Sequence, residues 1–413
     1  MAYDAPTHSL KRPLATDIAG ISARPDPFPA LAELRAAGPV VPARVPFVGR
    51  AWTTTSHAAA EAVLKGKDQF VSEGRNAGVP GIERVLWWMP RSLKVLADNM
   101  LLKDEPDHRR LRTLVNHAFA RRGILEMRGD VTALADRLID GFGSGPVDLV
   151  EAYARQLPLD VICELLGLPD SDRPQFIGWA RSIGQISGPL GVLRMMGSLS
   201  RFVRYIREQI ESSRHSPRPG LIAPLVEAEE DGDRLTEDEM VAMVATLLVA
   251  GFETTTHLIA GSVYALETHP EQKAWLLADP EARIEQAVEE LLRFWTPVQS
   301  TKQRFVAQDC VLDGQPLARG DLIFAHLGAA NADPAVFDAP ETLQLDRFPN
   351  PHLAFGSGIH FCLGLQLARL EAQVAITRLY ARHPGLTLRQ PASGDWLKRY
   401  GLRGFKALHI DLG

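Results

Sequence analysis

Between Met240 and Phe252 the chain reads MVAMVATLLVAGF, about 13 residues in which Thr246 supplies the only polar side chain. Thr236 and Glu239, three apart just upstream, form a capping box that starts a helix. The run is too short to span a bilayer and too apolar for a surface, so it predicts a helix buried in the core. Whatever this chain folds into must be assembled round that helix. Directly after the run come Glu253, Thr254, Thr255 and Thr256, an acid and three hydroxyls where the pattern calls for apolar groups. Burying a charge is costly unless it has a partner or a task. Thr254 can bond back to the carbonyl of Ala250 and bend the helix, with Gly251 leaving room beside the bend. A solvent-facing patch is the alternative, and the apolar flanks disfavour it.

Helical periodicity dominates elsewhere. It predicts helices over 57–65, 107–122, 131–142, 158–165, 174–183, 190–213, 270–278, 282–294 and 363–382. Strand-like pieces are few: 39–46, 50–54, 305–312, 321–325 and 407–412. The fold class is therefore mainly α with small β-sheets. The polar segment EAEEDGD, 227–233, reads as a solvated loop before a helix, and Gly188-Pro189 as a tip between two helices.

Forty-five basic against 50 acidic residues leave a net charge of −5, which disfavours a general role on nucleic acid or an anionic membrane. Three widely spaced cysteines, Cys163, Cys310 and Cys362, argue against a disulfide framework and for a reducing compartment. The first twenty residues carry no apolar stretch of the secretory kind. A cytoplasmic protein is expected.

Cys362 stands in FGSGIHFCLGLQLARLE, 355–371, at the head of a predicted amphipathic helix. Gly358 and Gly364 permit backbone geometry that a side chain blocks, and they let a large flat ligand approach the main chain. A helix N-terminus supports a thiolate. Zinc needs several ligands at recognisable spacing, and no CxxC is present. Three readings stay open on the residues alone: an inert core cysteine, a nucleophile with His360 as base, and an axial ligand to haem iron.

The spacing Phe355-x-x-Gly358-x-x-x-Cys362-x-Gly364 resembles the cysteine-ligand loop of the cytochromes P450, and four further segments resemble that family in the same order. Ala250-Gly251-Phe252-Glu253-Thr254-Thr255 resembles its oxygen-activating motif, with Glu253 where many members carry Asp. Glu290-Leu291-Leu292-Arg293 resembles its ExxR helix, with Arg347 in the place of the third member. His108 and Arg112, four apart on a helix, resemble its haem-propionate pair, and Arg304 another propionate arginine. One departure is Asn331-Ala332-Asp333-Pro334, where the family often has Arg after Asn.

The resemblance implies the P450 fold, a long central helix crossing a buried haem, as a single domain over 25–413 with an extension over 1–24. It implies Cys362 as iron ligand, Phe355 as shield of the sulfur, and His360 as a propionate contact. Ala250, Gly251, Gly358 and Gly364 lie against the cofactor. Glu253 and Thr254 deliver protons, and Glu290, Arg293 and Arg347 hold the structure. Residues near Trp87, Trp88 and Met89, with Leu247, Ala250, Val298, Gln299 and Leu402, line the substrate pocket. The implied function is a haem-thiolate monooxygenase that binds haem b and dioxygen and oxidises an apolar small organic molecule. Its electrons come from NAD(P)H through ferredoxin and its reductase, or through flavodoxin. The basic cluster Arg109, Arg110, Arg121 and Arg122 is a candidate dock, and a monomer is expected. A peroxide-driven enzyme, a haem-thiolate isomerase or reductase, and a non-catalytic haem protein are the rivals. The Glu253-Thr254 pair favours the oxygenase.

Overall fold

The computed structural model describes residues 18–413 apart from 46–48, 81–93, 121–122, 173, 177, 180–187, 231–232, 390 and 392–394. The chain divides into two compact units, one of Met1–Val79, Arg128–Leu157 and Thr254–Gly413, the other of Pro80–Met127 and Pro158–Glu253. The division falls inside the longest helix.

In the first unit, α1 (Ile18–Ser22), α2 (Phe28–Ala36) and α3 (His57–Lys65) surround a five-stranded sheet. Its order is β1-β2-β10-β7-β3, with β1 (Val40–Val45), β2 (Gly49–Thr54), β3 (Phe70–Val71), β7 (Arg304–Val306) and β10 (Leu322–Phe324). The β1–β2 hairpin runs from Val40 opposite Thr54 to Val45 opposite Gly49. Ser56 caps α3 by accepting the Ala59 N–H at 3.2 Å. Val40, Trp52, Val63, Phe70, Val306 and Ile323 close one core between sheet and helix. Residues 18–24, assigned to the extension by the sequence, are packed here. Ile18 and Ile21 are buried, and buried Arg403 donates to the carbonyls of Ser22, Arg24 and Pro25.

The segment 305–312, expected as one strand, breaks after Val306. Cys310–Leu312 then pairs with Gln315–Leu317 as a separate hairpin. Asp313 and Gly314 turn it with positive φ. Three further long helices lie in this unit. They are α5 (Arg128–Asp140), α11 (Pro280–Trp295) and α13 (Leu365–Arg382). Arg378 of α13 forks Asp136 of α5 at 2.7 and 2.9 Å.

The second unit holds α4 (Asp107–Ala120), α6 (Gln156–Leu166), α7 (Gly188–His215) and α8 (Ile222–Glu227), with α6 starting just inside the first unit. Gly188 and Pro189, expected as an interhelical tip, are the first residues of α7. Pro is well suited to a first turn because its missing N–H would have no helical partner. The EAEEDGD segment is no plain loop: Glu229–Glu230 and Asp233–Arg234 pair antiparallel.

The helix opened by Thr236 is α9 (Glu237–Thr268), 32 residues long. The capping box forms as expected: Thr236 N–H donates to Glu239 Oε2 at 2.8 Å and Glu239 N–H to Thr236 Oγ1 at 3.2 Å. The helix extends well beyond the 13-residue apolar run and is by length and composition long and apolar enough to cross a membrane, yet 56% of that window is buried inside the protein. Those residues belong to a core helix.

Candidate active site

Helix α9 is buried over two stretches and less covered between them. Met240–Ala245 and Thr255–Ala260 are buried, whereas Val249 is 40% exposed and Ala250 is exposed between them. Glu253 and Thr254 follow at half-buried positions. A core helix that leaves its apolar centre uncovered presents a face for a ligand. The space beside Gly251, expected to be free, is taken: a Cβ there would stand 3.0 Å from the side chain of Ile162 on α6. Gly251 serves helix packing.

The cysteine loop turns on two glycines with positive φ, Gly356 and Gly358, and Gly358 is the more closely confined. Gly358 has φ +71°, and a Cβ would stand 2.2 Å from the Leu64 carbonyl oxygen of α3. Gly364 is different. Its φ is −88°, an ordinary value, and nothing lies within 4 Å of where its Cβ would be. Cys362 precedes the helix instead of starting it, because α13 begins at Leu365 with Gly364 as its cap. The Cys362 N–H donates to the Phe355 carbonyl at 3.0 Å, which closes the loop.

Two side chains far apart in sequence converge next to this loop. Arg304 Nη1 donates to Ser72 Oγ, and His360 Nε2 lies 3.4 Å from the same oxygen. Ser72 follows β3, which pairs with the strand carrying Arg304. The sequence carried no signal for Ser72, a lone hydroxyl whose partners are 232 and 288 residues away. In the second unit His108 is buried and Arg112 half-buried on one face of α4. On its outer side, Arg109 and Arg110 pair with Glu105 and Glu239 of this chain. Neither is then a free charge for docking, and Arg121 and Arg122 lie outside the described residues.

Below the loop is a buried ion triad. Arg293 forks Glu290 at 2.7 and 2.8 Å, and Arg347 Nε reaches the same carboxylate at 3.1 Å. Gln344 N–H and Asn350 Nδ2 add further donors at 3.0 and 3.1 Å. Leu353, which leads into the cysteine loop, donates its N–H to Asn331 Oδ1 at 2.7 Å. The Ala332 departure is offset locally: Arg35 from α2 donates to the Ala332 carbonyl at 2.6 Å and lies 3.9 Å from Asp333.

Of the expected pocket residues, Val298 and Leu402 meet in an antiparallel bridge with half-buried side chains, and Leu247 is half-buried on α9. Gln299 does not belong with them. It is 3% exposed, and its amide folds back to donate to the Thr296 carbonyl at 2.6 Å, where it finishes helix α11. Trp87, Trp88 and Met89 lie outside the described residues. Among the described residues no three His, Cys, Asp or Glu side chains gather as a metal site.

The family model described as Cytochrome P450 matches residues 193–279 and 283–383. The polyketide biosynthesis cytochrome P450 PksS of Bacillus subtilis (strain 168) is 41% identical over 77% of this chain and 78% of its own length. The cytochrome P450 monooxygenase PikC of Streptomyces venezuelae is 38% identical over 93% of this chain and 91% of its own. The chain belongs to the cytochrome P450 family. The solved structure of PksS superposes with a TM-score of 0.85 at 36% identity, covering 94% of this chain and 97% of that one. As a P450 the protein is a monooxygenase that carries haem b, uses dioxygen and acts on a small organic molecule. Electrons reach it from NAD(P)H through separate redox proteins.

Proposed function

We propose that Cys362 is the axial thiolate of this P450 and that Ser72, Arg304 and His360, with His108 and Arg112, receive the two haem carboxylates. The observation that carries this reading is the meeting of Arg304 and His360 on Ser72, beside a loop that Gly356 and Gly358 turn with positive φ. The donor set fits the group. Three cationic or polar donors in one place suit a carboxylate. The open space at Gly364 and Gly356 suits a flat macrocycle lying against the backbone. When bound, the haem supplies one-electron and dioxygen chemistry, and a thiolate favours O–O cleavage.

The chain's residues do the rest. Glu290, Arg293, Arg347 and Asn331 hold the segment that enters the loop. Phe355 accepts the Cys362 amide proton at its carbonyl and covers the sulfur with its ring. Thr254 Oγ1 holds a proton on the oxygen side, and the Glu253 carboxyl replenishes it from solvent. Ala250 keeps the α9 backbone close to the cofactor, while Gly251 lets α9 pack against Ile162. Leu247, Val298 and Leu402 contact substrate, and the apolar nature of these side chains selects an apolar molecule. The description of PksS supports a polyketide-like one. The electron donor is a ferredoxin or flavodoxin, and the protein is a cytoplasmic monomer.

The test is the absorption spectrum of the reduced carbon-monoxide complex. The native protein should show the thiolate-type Soret band and Cys362→Ala should lack it. A band that survives the substitution would remove Cys362 from the iron.

A further inference from the structure

Glu289, beside Glu290 on α11, makes a second clamp with a different purpose. Arg369 of α13 forks it, Nε to Oε1 and Nη2 to Oε2, both at 2.7 Å. His352 Nε2 lies 3.2 Å from Oε2. The Ala354 N–H donates to His352 Nδ1 at 3.3 Å, so the ring proton belongs on Nε2, where it donates to Glu289. The Arg369 guanidinium lies over the Phe355 ring, 4.8 Å from its centroid, and the His352 ring is 6.0 Å from the same ring. The Phe355 carbonyl receives the Cys362 N–H at 3.0 Å. One line of contact therefore runs from Glu289 through Arg369 and Phe355 to Cys362.

We propose that Arg369 is a positioning residue for Cys362: anchored by Glu289, its guanidinium fixes the Phe355 ring, and through it the carbonyl that holds the cysteine amide. A planar fork is what this needs. It is matched to a carboxylate along one edge and can lie against an aromatic ring, which an ammonium cannot do together. The clamp stays charged. Burial alone raises the Glu289 carboxyl, but hydrogen bonds from His352 and Arg369 outweigh it and hold the pKa at about 2. The charge also acts on the sulfur's surroundings, since fixed charge and hydrogen bonding near a thiolate ligand set the potential of its iron. The proposal rests on Cys362 being that ligand.

The experiment uses haem-loaded protein and reads two signals: the reduction potential, and the rate at which the thiolate-type carbon-monoxide band decays on mild heating. Arg369→Gln should shift the potential to more negative values and speed the decay several-fold. Arg369→Lys should recover the potential, because the charge returns, but only part of the lifetime, because the fork does not. Glu289→Gln, which leaves the guanidinium without its anchor, should also speed the decay. In a Phe355→Leu background Arg369→Gln should add little to the decay rate. Unchanged potential and decay in folded Arg369→Gln or Glu289→Gln would overturn the proposal. So would an acceleration of the decay by Arg369→Gln undiminished by Phe355→Leu. If native protein shows no thiolate-type band, the ligand assignment itself fails, a separate result from a native band that Arg369 variants leave unmoved.

Discussion

Arg293 is 1% exposed and donates five hydrogen bonds, two to Glu290 and three to the carbonyls of Asn331, Pro340 and Thr342. Such a pair is weak evidence for stability by itself, but removing one partner leaves a buried charge. Arg293→Ala should cost roughly 3–5 kcal/mol in denaturant unfolding, with loss of haem retention. Its surface counterpart, Arg207 with Glu237, should cost under about 1 kcal/mol when broken. Thr254 is tested differently. Thr254→Ala should retain the native spectrum and substrate affinity while diverting electrons from product to peroxide, measured as product formed per NAD(P)H consumed. Unchanged coupling would remove it from proton delivery. The sequence pointed to Arg293 and Thr254 because their segments form compact patterns. It gave no sign of Ser72 or of the clamp of Glu289, His352 and Arg369, whose partners are brought together only by folding.

Helix α9 shows how one element is held by what approaches it. Gly261 lies where a Cβ would stand 2.1 Å from the Trp295 indole of α11. Trp295 stacks on Phe405 at 5.3 Å between ring centroids and lies near Trp396. Gly→Ala normally helps a helix by about 1 kcal/mol, but overpacking a core costs about 1–3 kcal/mol or more. Gly261→Ala should therefore lower stability. Gly364→Ala is the contrast. Its backbone is unstrained and its Cβ position open, so the apoprotein should unfold at the native denaturant midpoint while haem titration shows weakened binding. Equal haem affinity would mean that Gly364 faces no cofactor. The two glycines look alike in sequence, and their surroundings separate their roles.

At the scale of the whole molecule, acid sensitivity follows from buried imidazoles. Burial lowers His257 to about 3, with Arg155 and Arg399 acting in the same sense, and lowers His326 to about 4. Unfolded, each titrates near 6.5. The unfolded chain thus binds these protons first, so stability is full above pH 6.5 and falls as pH drops toward 4 and 3. Each group contributes up to about 1.4 kcal/mol per pH unit in that window. His257→Asn should flatten the acid limb of a urea-midpoint profile by about one proton, whatever its effect at neutral pH. An unchanged slope would mean that His257 is charged when folded. The absence of a large basic excess fits a protein that meets its redox partner through a local surface. The nearest candidates, Arg109 and Arg110, are already paired within the chain.

The sequence by itself determined the family, the mainly helical class and the buried α9 helix, and it singled out the candidate residues that lie in short local patterns: Cys362, Glu253, Thr254, Glu290 and Arg293. Local spacing suffices there because helix periodicity and loop geometry place neighbours in sequence next to each other in space. Tertiary structure alone decided which glycine is strained, that Gln299 finishes a helix, that Arg35 reaches Ala332, and that Ser72 joins Arg304 and His360. Those outcomes depend on contacts across tens to hundreds of residues, where hydrogen-bond satisfaction and close packing select partners that no linear pattern records.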